Sequence, residues 1–340
     1  MTKNEPAVLG GMYEVGVGVA DLAAAIGHWQ AFGYRVGTTG RLGAAAAERL
    51  YGVASAVRSV RLLHQDADHG LVRLMTWDKP TGEGLGQIPL RTPGNRWTVA
   101  KTRDVQLFAD HARAWKAQGM DLWYLEPVFH PVGVTLDQTQ PFRDDFPHKR
   151  ELPMFWREGR QVLVQRYAHE LPNFGRYNEH CLLRASQFTQ AGICIGPDDQ
   201  GLLGFYDQVL GLKRISERRI VVEGGTLPAL MMPMRDGELL FETDFDDVRS
   251  GPEPDRQLSG KLRVFRLPES AKDDRWYRAS APGNFGYSLY TYRSMDLARL
   301  RSKVAGAGVP WTGQVLEDEF GAPAFGCTSP DGYAWAFVQA

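Results

Sequence analysis

The sequence predicts an α+β protein of four βαβββ modules in series, the last two repeating the first two. A strand–helix unit, YEVGVGVADLAAAIGHWQAFGYRVG (13–37), returns as QAGICIGPDDQGLLGFYDQVLGLKRI (190–215). Both helices end at a glycine, Gly33 and Gly211, 178 positions apart. A Pro-Gly-Asn turn also recurs, at 93–95 and 282–284, each time ahead of a strand and a helix. Its offset of 189 is also that between the helix-ending Gly119 and Gly308. Two landmarks sharing one offset mark a duplicated unit, and such a repeat constrains the architecture before any local reading.

In module 1, Val15, Val17 and Val19 alternate as a half-buried strand, Asp21 opens the helix, and His28-Trp29 give it an aromatic pair. Gly33 suits a left-handed helix end. VRSVRLL (57–63) and LVRLMTW (71–77) supply further strands, and KPTGEGLGQIPLRTPGN (79–95) is a Gly/Pro-rich connector. Module 2 carries a long excursion over 126–154, with Phe129, Phe142 and Phe146, and then FWREGRQVLVQRY (155–167), turning at Glu158-Gly159. An excursion of that length is a lid, a binding element or disordered.

Module 3 starts on Ala191, Ile193 and Ile195, has an acidic helix start at Asp198 and Asp199, and pairs Phe205 with Tyr206. LPALMMPMRDGELLFETDF (227–245) reads as a hairpin turning at Asp236-Gly237. The polar stretch 246–282 links modules 3 and 4 and holds one strand, KLRVFRL. Module 4 closes with SPDGYAWAFVQ (329–339), turning at Asp331-Gly332. The expected domains are 1–168 (modules 1 and 2) and 186–340 (modules 3 and 4), joined by an unpatterned linker over 169–185; proteolysis is expected to cut there or in 246–282 before it cuts within the strands.

Composition excludes several classes. The chain has 340 residues, 43% apolar and 23% charged, with net charge -1, which gives a nucleic acid nothing to grip. Cys181, Cys194 and Cys327 are too scattered for a disulfide framework or a cysteine zinc site. Met1 to Pro6 lacks an apolar signal core and no run is long enough to span a membrane, so a reduced, cytoplasmic protein is expected. No GxGxxG, Walker, HExxH or GxSxG pattern stands in a strand-to-helix context.

The βαβββ pattern, the first strands of modules 1 and 3 with the helices that follow, and the closing PDGYAWAFV make the chain similar to the vicinal oxygen chelate superfamily of glyoxalases, bleomycin-resistance proteins and extradiol dioxygenases. The resemblance covers nearly the whole chain. It implies that modules pair into two open cups and that each cup takes a divalent metal from residues on the first and last strands of its modules. Strand parity then places Glu14, Gly16 and Gly18 on the cup side of module 1, and Gln190, Gly192 and Cys194 on that of module 3. The corresponding positions fall at Trp97 or Thr98 and at Tyr287 or Ser288. On the last strands they fall at Arg73, Leu163, one of Leu240 to Glu242, and Ala336.

Arg73, Leu163 and Ala336 cannot bind a cation, so no metal or other cofactor is expected. The fallback metal site is Gln190, Glu242 and Tyr287. Glu14 and Arg73 are placed to pair, either as a catalytic base with a substrate anchor or as a structural ion pair. Trp97, Gln190, Glu242, Tyr287, Tyr290 and Trp335 are candidate substrate-binding residues. Tyr292 and Phe337 add to the aromatic content, which is a cup wall for a flat ligand or ordinary core.

The pairs His169-Glu170 and Glu179-His180 read as linker polarity, and His64 and His69 as turn surface; His130 and His148 lie in the excursion. The leading expectation is an enzyme, a lyase or isomerase working on a small oxygenated, aromatic molecule by acid–base chemistry without the family metal. The alternatives are a metal-free binding protein of the drug-sequestering type and a metal-dependent extradiol-type dioxygenase using the C-terminal cup. The partners expected are a small organic molecule, no nucleic acid, no membrane, and a homodimer as one assembly.

Overall fold

The computed structural model describes residues 9–132, 146–196, 199–267 and 273–340. Asp198, Phe142 and the Met1–Pro6 segment lie outside the described residues. Module 1 runs β1 (Leu9–Gly18), α1 (Leu22–Ala31), β2 (Tyr34–Leu42), α2 (Ala44–Tyr51), β3 (Val57–His64) and β4 (Leu71–Trp77). Module 2 has β5 (Arg96–Thr102), α3 (Val105–Ala117), β6 (Leu122–Tyr124), β7 (Val128–Pro131), β8 (His148–Trp156) and β9 (Gly159–Tyr167).

Module 3 opens with β10 (Ala185–Ile195). A 3-10 turn (Asp199–Leu203) and a π turn (Phe205–Val209) stand where its repeat partner has a regular helix. It continues with β11 (Lys213–Val221), α4 (Leu227–Met231), β12 (Leu239–Asp246) and β13 (Lys261–Arg266). After α5 (Asp274–Ala279), module 4 has β14 (Gly286–Ser294), α6 (Leu297–Gly306), β15 (Trp311–Thr312), β16 (Leu316–Glu317), β17 (Pro323–Thr328) and β18 (Ala334–Gln339). Among the described residues no helix is long and apolar enough to cross a membrane.

The helix boundaries follow the local chemistry. Asp21 caps α1 by accepting from the Ala23 and Ala24 N–H groups at 2.9 and 3.0 Å. The chain leaves the helices at Gly33, Gly119, Gly211 and Gly308 with φ of +93°, +87°, +79° and +67°, where a side chain would be strained.

Two nine-stranded sheets result. One has the order β15-β17-β18-β14-β1-β4-β3-β2, with β16 on β17; the other runs β11-β12-β13-β10-β5-β9-β8-β6, with β7 on β8. This corrects the expected pairing: module 1 shares a sheet with module 4, and module 2 with module 3. The cups therefore do not coincide with the halves 1–168 and 186–340. β1 lies antiparallel to β14 with Gly16 opposite Leu289, and β10 lies antiparallel to β5 with Gly192 opposite Trp97. β5 and β14 are repeat equivalents, so either could complete the edge of β1. The 79–95 connector is long enough to carry the chain across to the second sheet.

Three further expectations are corrected. KLRVFRL is not a linker strand but β13, the last strand of module 3, lying parallel to β10 with Arg263 beside Gly192. Arg73 stands in the same way beside Gly16. The last-strand position of module 3 is therefore Arg263, and Glu242 lies one strand further out on β12. Residues 227–231 form a short helix rather than half a hairpin, because Pro228 and Pro233 remove strand donors and β11 already pairs with β12.

The linker 169–185 is packed. Phe174 and Leu183 are buried, and the Asn178 N–H donates to the Ala185 carbonyl at 2.9 Å. Its contacts are tertiary and follow no period, so the sequence shows none. Residues 133–145 of the excursion lie outside the described residues, and most of its described residues form β7 and the first part of β8. His64, expected at a turn surface, is buried against Tyr34.

One face of each sheet packs on the helices in a single large cluster that joins both sheets, with Val15, Val17, Trp29, Phe188, Ile193 and Tyr290 among its members. The opposite faces carry separate clusters, one per cup. Tyrosines stitch the sheets together. The Tyr290 hydroxyl shares its one proton between the Trp97 and Gly192 carbonyls, at 2.8 and 2.9 Å, and the Tyr333 hydroxyl donates to the Cys194 carbonyl at 2.6 Å.

Candidate functional site

The two cups have unlike contents. In the cup of modules 1 and 4, the Glu14–Arg73 pair is formed, with Arg73 Nε donating to Glu14 Oε1 at 2.6 Å. Arg61 Nε, on β3, donates to Glu14 Oε2 at 2.7 Å. Glu319 accepts from the Tyr51 hydroxyl and from Ser59 Oγ, each at 2.6 Å. Phe320 lies under the Arg61 guanidinium at 4.0 Å. Burial alone would raise the Glu14 carboxyl, but Arg73 and Arg61 hold it below its ordinary range. Burial pushes the Asp318 carboxyl up, against the pull of Arg73.

This cup is full. Leu50 and Tyr51 of α2, with Trp77, Met75, Leu289 and Ala336, pack its apolar part, and the 318–320 segment closes over the charges. Glycine permits the closure: a Cβ on Gly40 would sit 1.6 Å from the Glu319 carbonyl oxygen. Gly40→Ala is expected to push this segment off Glu319's partners and lower stability by about 1–3 kcal/mol, read by urea denaturation. A change under about 0.5 kcal/mol would show that the closure is not tight.

The cup of modules 2 and 3 is open, with a cavity of about 240 Å³. Its floor is the Trp97 indole stacked on Phe265, centroids 5.2 Å apart at 17°. Gly192 makes this possible, because a Cβ there would meet the indole at 2.0 Å. Val99, Val162, Val164, Met231 and Met232 extend the apolar lining.

The polar wall carries more cations than anions. Arg263 pairs with Asp244 at 2.7 Å and with Glu242 at 3.0 Å; Glu242 also takes Arg218. Lys149 pairs with Glu151 at 3.0 Å, leaving Glu151 Oε2 buried with no described partner. Arg166 Nε and Gln190 Nε2 are likewise buried with no hydrogen-bond partner among the described residues. Lys101 is 3% exposed, lies over the Tyr177 ring at 4.5 Å, and pairs with no described carboxylate. Lys101 and Arg166 thus line the cavity with no direct ion pair among the described residues, while Glu170 acts on both and Glu151 on Arg166 from further away.

Solved structures share this architecture. Glyoxalase I from Zea mays matches at 13% identity and TM-score 0.55, covering 97% of this chain and 92% of that one. A Bacillus subtilis protein provisionally named a dioxygenase matches at 9% identity and TM-score 0.53, covering 98% and 86%. The chain has the vicinal oxygen chelate fold. No family model matches it, and no curated protein matches its sequence. At these identities the likeness concerns the fold alone.

Proteins of the vicinal oxygen chelate fold imply a divalent metal in the cup, and the residues here do not fit one. The module 1/4 cup presents Glu14, already held by two guanidiniums, with Arg73, Leu289 and Ala336. A bulge in β14 turns Tyr287 into the core and leaves Leu289 on the cup side. The module 2/3 cup presents Gln190, Arg263, Trp97 and Val162 at the matching places. Donor-only guanidiniums, an indole and alkyl groups cannot close a coordination shell. Among the described residues no three His, Cys, Asp or Glu side chains converge on a point.

The structure brings Trp97, Gln190 and Glu242 to one cavity wall. It does not bring Tyr287 there, so the fallback trio Gln190, Glu242 and Tyr287 is not assembled. Tyr287 bonds Thr98 at 2.9 Å in the layer between the sheets. Tyr290 and Trp335, expected at a cup wall, also lie in that layer, with the Arg96 guanidinium over their rings. Leu163 faces the helices, while Val162 and Val164 face the cavity. The parity of β9 therefore sits one residue from where the sequence suggested.

Lys101, Glu151, Arg166, Lys261 and Arg263 escaped the sequence reading. The signal that could have found Lys101, Lys261 and Arg263 is alternation: Trp97, Val99 and Lys101 share one face of β5, and Lys261, Arg263 and Phe265 share one face of β13.

Proposed function

We propose that the chain binds a small organic anion with a flat apolar body in the module 2/3 cup and acts on it by acid–base chemistry without a tightly held divalent ion. The observation that carries this reading is the pairing of the Trp97–Phe265 floor with Lys101 and Arg166 on the wall, neither in a direct ion pair among the described residues. A few convergent polar groups over an apolar, aromatic lining are what a small-molecule pocket needs. A carboxylate on Arg166 would satisfy its buried Nε and return the charge balance of the cup toward neutral. Glu151, with one oxygen free on the same wall, is the group suited to accept a proton. In this reading Glu14 and Arg73 hold the fold of the other cup together.

Calorimetric titration with phenyllactate and with its neutral amide tests the proposal. The acid is expected to bind and the amide not. Arg166→Met is expected to weaken the acid about 10- to 100-fold, the worth of a charge-assisted hydrogen bond. Treatment with a chelator should leave binding unchanged. Equal affinity for acid and amide, or loss of binding on chelation, would overturn the reading. The adjacent methionines Met231 and Met232 favour a second reading, a binding protein with an adaptable wall. Recovery of every bound compound chemically intact would select it.

A further inference from the structure

Three lysines reach the module 2/3 cavity, and their surroundings differ. Lys149 is paired with Glu151 at 3.0 Å, and Lys261 lies 4.0 Å from Asp244. Lys101 pairs with no described carboxylate, and its ammonium lies over the Tyr177 ring. Across three adjacent strands, Lys101 on β5, Val164 on β9 and Glu151 on β8 stand in one row. Two strand spacings put the Lys101 and Glu151 Cα atoms about 10 Å apart, room for a small molecule between two long side chains. Arg166, two residues along β9 from Val164, looks into the same space.

We propose that Lys101 is a catalytic amine that forms an imine with the carbonyl carbon of a small 2-oxo carboxylate in this cup. The inference rests on the anion-binding reading above and adds the reacting group and the substrate class. Arg166 takes the carboxylate, which sets the neighbouring carbonyl carbon toward the Lys101 Nζ.

The unprotonated amine adds to the carbonyl carbon, and a proton passes to the carbonyl oxygen. One further proton, taken from solvent, lets the hydroxyl depart as water and leaves the protonated imine; that proton returns to solvent when the amine is released. The carbon beyond the imine carbon then gives its proton to Glu151 Oε2. Its electron pair moves into the C–N system to form the enamine. Reprotonation and hydrolysis return the amine, with the water consumed balancing the water lost and no net oxidation.

A protonated imine draws electrons as a metal-bound carbonyl would, and among the described residues no three His, Cys, Asp or Glu side chains converge to hold a metal. Burial, opposed by Glu170 and assisted by Arg166 and Arg103, brings the Lys101 ammonium down to about 8, which leaves a reactive fraction of free amine near neutral pH.

The test is reductive trapping of the full chain with phenylpyruvate and cyanoborohydride, followed by intact mass and peptide mapping. One equivalent of reduced adduct on the Lys101 peptide is expected. No adduct, or an adduct on Lys149, Lys261 or scattered lysines, overturns the proposal. Lys101→Arg keeps the positive charge. It is expected to melt within a few degrees of the parent chain and to lose the adduct altogether. Persistence of the adduct in Lys101→Arg would also overturn it. Phenyllactate cannot form an imine, so it separates the two ideas. Binding without trapping removes the imine and leaves the anion site standing, whereas failure of phenyllactate to bind at all removes both.

Discussion

Arg73→Met is expected to cost about 3–5 kcal/mol of folding free energy while leaving ligand binding in the other cup unchanged per folded molecule. Arg73 is 1% exposed and Glu14 fully buried, and Arg73 also reaches Tyr51 and lies 3.5 Å from Glu319. Removing one guanidinium leaves Glu14 with Arg61 alone and Glu319 with hydroxyl donors only. Uncompensated buried charge is far more expensive than the net worth of the intact pair.

The same network sets an acid limit. The Glu14 carboxyl lies below its unfolded value of 4.5, so its contribution is complete above about pH 4.5 and is lost as pH falls through the lower folded value. Urea denaturation of Arg73→Met and the parent chain, at pH 7 and at pH 4, measures both effects, and the gap between the two proteins should narrow at pH 4. A loss under about 1 kcal/mol, together with abolished phenyllactate binding, would move the functional site into the module 1/4 cup.

Gly192→Ala is expected to damage the module 2/3 cup from its floor. The new methyl would overlap the Trp97 indole, and neither partner can retreat easily. The backbones of residues 97 and 192 are both tied to the Tyr290 hydroxyl, and the indole is stacked on Phe265. The indole must leave its stack, at about 1–3 kcal/mol of overpacking strain. Affinity for phenyllactate should fall at least about tenfold, equivalent to ~1.4 kcal/mol.

Trp97→Leu in the same chain should restore much of the stability but not the affinity. A double-mutant cycle with a coupling energy of about 1 kcal/mol or more is therefore expected, because the two residues touch. Additive effects, or unchanged affinity in Gly192→Ala, would mean that the floor takes no part in binding.

The four modules were legible in the sequence because each stands on local signals. Alternating apolar residues of β1 and β10, helix caps such as Asp21, and left-handed glycines such as Gly33 and Gly211 act within a few residues and repeat at fixed offsets. The ion pair of Glu14 with Arg73 was only half legible: parity puts Glu14 opposite the helix face, while the neighbourhood of the first and last strands of a module came from the family resemblance.

Which modules share a sheet was decided only by tertiary structure. β5 and β14 offer β1 the same kind of antiparallel edge, and strand pairing between modules leaves no periodic mark in the chain. The contents of the cups were hidden for the same reason. Closure over Glu14 and Arg73 comes from Glu319 and Phe320, remote in sequence and admitted by the bare backbone of Gly40. Lys101 and Arg166 look like surface charges until β5, β9 and the 169–185 segment bring them over one apolar floor. Burial turns those ordinary residues into a candidate site, and burial depends on every neighbour at once rather than on spacing along the chain.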